Sequence, residues 1–111
     1  MNTINEDYVL RQIERIGDLI ALALGFKATG KPDDAMRTVD AGLGELLGDE
    51  AEILEMVDAE TAARLIADPR KIKAYADLLR TKMSFTQDKK VRSAMESRIK
   101  TLYGEVTRLS N

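Results

Sequence analysis

The chain of 111 residues has no cysteine, no histidine, no tryptophan and only two prolines. Without cysteine it can form no disulfide, no thiolate metal site and no sulfur nucleophile. Without histidine it lacks the commonest general base, the commonest transition-metal ligand and the usual switch near neutral pH. Long apolar runs are missing as well. The longest, Leu19–Leu24, falls far short of the ~20 residues that span a bilayer. The first residues, Asn2 to Asp7, have neither the basic nor the apolar region of a secretory signal. The expectation is a cytoplasmic protein with no membrane partner.

Catalytic strings are scarce too. Ser84, Ser93 and Ser97 would need a lysine or carboxylate as base, and no Gly-x-Ser-x-Gly string is present. Gly42-x-Gly44 lacks the third glycine and the preceding strand of a phosphate loop. The sequence therefore predicts no enzyme and no cofactor. Asp49, Glu50, Glu52 and Glu55 form an acidic cluster with the oxygen chemistry that hard cations want. The calcium-loop pattern is absent, however, and a helix N-terminus explains early acidic residues without a metal.

What is present is helix-forming material. Apolar residues make up 44% and charged residues 32% of the chain, the balance of a soluble, helix-rich single domain. The charge is unevenly spread. Residues 1–63 carry 5 basic and 14 acidic side chains, whereas residues 64–111 carry 12 and 5. The net charge of −2 conceals this. Such a split implies a basic partner-facing surface or two halves that attract each other.

Periodicity predicts an all-α fold of five to six helices in antiparallel hairpins. The first helix is expected from an Asn5 N-cap, with Val9, Ile13, Ile16, Ile20 and Leu24 on one face. From Leu19 it is apolar nearly all round, which suggests a central helix or a subunit interface. Gly30–Asp33 reads as a turn, and a second helix follows from Pro32 to Leu47, with Gly48 just past its end. These elements make a first hairpin over 1–48. Two short helices connect it over 49–68, one opened by an Asp49/Glu52 capping box and one capped by Asp58. A second hairpin covers 69–111. It starts at Asp68–Pro69, runs to about Phe85, and resumes after Thr86–Asp88 with a stripe of Val91, Met95, Ile99, Leu102, Val106 and Leu109.

Leu22, Ala23, Phe26, Gly30, Ala35, Val39, Gly42 and Leu43 sit where a tetratricopeptide repeat places its large, small and aromatic positions. The segment 19–47 thus resembles one such repeat. Leu22, Phe26, Val39 and Leu43 would fill the layer around the helix crossing. Tyr75 to Val106 looks like a second, weaker hairpin, with Ala94 in the role of Ala35. The string Asp7–Tyr8–Val9–Leu10–Arg11–Gln12–Ile13–Glu14 resembles the start of a bacterial family of short helical proteins of unknown function. That resemblance implies a bacterial, tetratricopeptide-like protein and assigns no catalytic residue.

Two surfaces compete as sites. In a tetratricopeptide hairpin the first helix lines the concave side, so Ile20, Leu24 and Lys27 would face it. They could grip a peptide or protein partner, be covered by the C-terminal helices, or be buried in a homodimer, the reading preferred here. The alternative is a basic surface for nucleic-acid phosphates, using Arg70, Lys73, Arg80, Lys89, Arg92 and Lys100. Against it, acids interrupt the rows at Asp77 and Glu96, making the solvated ion-paired faces of ordinary helices.

Overall fold

The computed structural model describes residues 3–110, and all its regular structure is helical. In order the helices are α1 (Thr3–Ala28), α2 (Pro32–Leu47), α3 (Ala51–Met56), α4 (Ala59–Ile66), α5 (Pro69–Met83) and α6 (Lys89–Ser110), with a 3-10 turn at Gly48–Glu50 before α3. The fold is all-α, built from antiparallel helix packing.

Local chemistry explains most boundaries. Pro32 starts α2 and Gly48 ends it at φ 58°, in the positive-φ region that costs glycine little. The Asp58 carboxylate accepts from Thr61 N–H at 2.7 Å at the start of α4. Asp68 accepts from Arg70 N–H at 2.8 Å at the start of α5. Asp88 accepts from Lys90 and Val91 N–H at the start of α6. Each satisfies donors that a helix start leaves orphaned.

Several expectations need correction. Asn5 is not a cap, because α1 begins at Thr3 and carries Asn5 within its first turn. The capping box at Asp49 does not form. Gly48 turns directly into the 3-10 segment, Asp49 lies inside it, and α3 starts behind Glu50 with no side-chain cap. Helix α5 stops at Met83, short of Phe85.

The central helix is α5, not α1. It packs against α1, α2, α4 and α6 and buries Ile72, Ala74, Tyr75, Ala76, Leu78 and Thr81. Among the described helices α1 packs on α2 and α5, and it buries Gln12, Ile16 and Ala23. Its all-round apolar character is therefore not buried: Leu22 is 51% exposed and Leu24 46%. Leu22 accordingly fills no core layer, unlike Ala35, Val39, Gly42 and Leu43. Ala94 is exposed and does not repeat the buried role of Ala35. The α6 stripe is buried only at its centre, at Ile99 and Leu102, while Val91 and Leu109 at its ends are exposed.

Gly42 of α2 packs directly against Leu78 of α5. A Cβ built there would lie 2.9 Å from Leu78 Cδ2 and 3.7 Å from Leu19 Cδ1. The missing side chain lets Leu78 enter, and that burial offsets the ~1 kcal/mol a helical glycine costs. Helix α3 is held from outside. Arg98 on α6 donates to the carbonyls of Leu54 at 2.5 Å and Val57 at 2.7 Å, and to the Tyr75 hydroxyl at 3.0 Å. One guanidinium thus supplies donors to carbonyls at the end of α3.

Candidate functional site

Helices α1 and α5 lie side by side and leave an open groove between them. Its main cleft, about 480 Å³, is lined on α1 by Gly17, Ile20 and Leu24, on α5 by Lys73, Asp77, Arg80 and Thr81, and just past the end of α5 by Ser84. A smaller continuation toward the start of α5, about 240 Å³, adds Ile13, Ile16, Arg70 and Ala74. The spacing on α5 follows one helical face, because residues three and four apart lie above one another.

The groove brings together residues that looked like two separate surfaces. Ile20 and Leu24 form its apolar wall, while Arg70, Lys73 and Arg80 stand on the other. Lys27 does not line it. Its ammonium sits 5.4 Å from the centroid of the Phe85 ring, a cation–π contact that links the end of α1 to the segment after α5. Lys89, Arg92 and Lys100 are exposed on α6 and none lines this groove. The six basic residues are thus divided between two helices.

Partners on the basic wall differ. Arg70 is engaged, reaching Glu6 of α1 at 2.5 Å and Asp68 at 2.8 Å. These bonds raise its pKa, Asp68 contributing most, and hold the Asp68 carboxyl below the usual range. Lys73 pairs with Asp77 at 2.9 Å. The other Asp77 oxygen accepts from the Tyr103 hydroxyl of α6. Burial, and then this bond, push the Tyr103 phenol up to about 12. Arg80 is exposed and makes no ion pair among the described residues. With Asp77 shared between Lys73 and Tyr103, the α5 wall keeps a positive excess.

Gly17 is a groove-lining position that the sequence did not single out. It lines both parts of the groove, and a Cβ there would meet nothing within 4 Å. Its signal is its place in the apolar stripe, four residues after Ile13 and three before Ile20. A larger residue there would close the groove.

Other candidates are less developed. A smaller cleft, about 200 Å³, is lined by Tyr8, Arg11, Gln12, Arg15 and Glu45. There Gln12 donates from Nε2 to the Glu45 carbonyl at 3.0 Å, while its buried Oε1 has no partner. Among the described residues no three acidic side chains gather to hold a metal ion, so the Asp49–Glu55 cluster has no coordinating geometry. Ser97 and Lys100 stand in Ser-x-x-Lys spacing on α6, but both are exposed and lack the enclosure that activates a nucleophile. No described helix is long and apolar enough to cross a membrane.

No known family model, curated protein or solved structure matches this chain. Its resemblances rest on the residues quoted above.

Proposed function

We propose that the chain is a non-catalytic interaction module of tetratricopeptide-like build that self-associates as a homodimer through the α1–α5 groove. One observation carries the reading. The groove leaves Leu24 and part of Ile20 uncovered opposite the Lys73 and Arg80 side chains. An apolar wall facing a charged wall is the form of a helix-binding groove.

The packing supports the tetratricopeptide comparison. Helix α5 rests against both members of the first hairpin, so the leading helices of the two hairpins adjoin along one groove. The small residues Ala23 and Gly42 are buried as a close crossing needs. Leu22 departs from the pattern. As part of the same reading, the module belongs to the bacterial cytoplasm; the bacterial part rests on the Asp7–Glu14 string.

Light scattering at two well-separated concentrations tests the association. The mass of the chain should rise with concentration. Gly17→Leu fills the groove and Leu24→Asp puts a charge on its apolar wall. Both variants should stay monomeric with unchanged helicity. A native chain that is strictly monomeric at high concentration rejects the reading.

A further inference from the structure

The groove has two unlike walls, and one segment of this chain has two matching sides. Helix α3 buries Leu54 toward the body and leaves its other side outside. At about 100° per residue, Ile53 and Met56 fall next to each other on that outer surface, with Glu52 and Glu55 beside them. Ile53 is 54% exposed and Met56 84%; both glutamates are exposed. No residue of α3 takes part in an ion pair among the described residues. Met56 is thus the most exposed large apolar side chain described, and it lies beside acids with no cationic partner.

Resting on the self-association reading above, we propose that helix α3 of a second copy occupies the α1–α5 groove. Ile53 and Met56 pack on Ile20 and Leu24, and Glu52 and Glu55 face Lys73 and Arg80. In a two-fold pair the contact is made twice, each copy lending its α3 to the other's groove, as isologous symmetry requires. Charge complementarity favours this occupant. The acidic first half of the chain presents α3, and the basic second half supplies the cationic wall.

Arg98 makes the segment suited to docking. Its bonds to Leu54 and Val57 carbonyls hold α3 from behind. The short helix is presented in shape and little order is lost on binding.

Reciprocal charge exchange tests the occupant. One variant carries Lys73→Glu and Arg80→Glu, the other Glu52→Lys and Glu55→Lys; all four side chains are exposed. Alone, each should self-associate at least about tenfold more weakly than the native chain. Mixed, they should form a heterodimer near native affinity, because both contacts regain opposite charges. Met56→Ser should weaken the native dimer with no change in the thermal midpoint measured at concentrations low enough for both chains to be monomeric. A dimer that Gly17→Leu abolishes but that the α3 substitutions and the mixture leave unaltered overturns this occupant and keeps the groove. A native chain with no dimer at all removes the self-association reading and this inference with it.

Discussion

Single residues carry much of the fold's specificity. Arg98 ties α6 to α3 and to Tyr75 at once, and its guanidinium carbon lies 5.8 Å from the Tyr75 ring centroid. In the sequence it reads as one more cation of the basic half. Arg98→Met keeps the stem and removes the donors, so it should cost about 2 kcal/mol. Urea unfolding checks the loss, and hydrogen exchange should rise selectively over α3. Tyr103 makes a pH prediction. Its folded pKa is about 12 against an ordinary 10.0. A raised folded value means the protonated phenol is favoured by folding. Its stabilisation is complete below pH 10 and is lost as pH climbs through 12. Tyr103→Phe should flatten the alkaline limb of the stability profile. An unchanged limb would show that folding does not favour the protonated phenol.

At the scale of elements, the legible parts were those decided locally. Helix α2 could be bounded from Gly30, Pro32 and Gly48, and α4 and α5 from Asp58 and Asp68–Pro69, because caps and breakers act within a few residues. Burial was harder to read. The double apolar face of α1 suggested a central helix or a subunit interface; α5 takes the central place, with Leu78 packed against Gly42. Nothing local in α5 announces a glycine some thirty residues earlier. The groove was legible only in pieces for the same reason. Ile20 and Leu24 lie on one helix and Lys73 and Arg80 on another, so they read as rival surfaces until packing made them facing walls. Asp49 and Glu52 show the opposite failure. Their spacing is right for a capping box, but the positive φ at Gly48 sends the chain straight into a 3-10 turn. Docking of α5 at Gly42 is open to test. Gly42→Val adds an isopropyl group, three carbons, against a fully buried Leu78 and should destabilise the fold by about 2 kcal/mol, as overpacking does. Thermal unfolding measures it, and an unchanged midpoint would mean that α5 has room to move.

For the whole molecule, the charge split is the organising fact. If the two halves complemented each other within one chain, ion pairs should join them densely. Among the described residues, the α1–α2 hairpin and α5 are joined by Arg70–Glu6 at 2.5 Å and Lys82–Asp40 at 3.9 Å. Arg64–Glu60 at 3.9 Å also crosses the border, but within α4, while pairs such as Arg15–Glu45, Lys73–Asp77 and Arg108–Glu105 stay within their own half. Exposed pairs of this kind contribute about 0–1 kcal/mol each. Most of the opposite charge is therefore unspent inside the chain, and α3 and the groove hold part of it on separate surfaces. Self-association that uses this charge must weaken with salt. Sedimentation equilibrium of the native chain, run over a range of concentrations at low and high salt, tests this most directly. The account predicts a mass that climbs from the 12.3 kDa of one chain to twice that value at low salt, with the climb displaced to higher concentration when salt is added. A mass of one chain at every concentration, or a dimer indifferent to salt, would contradict it.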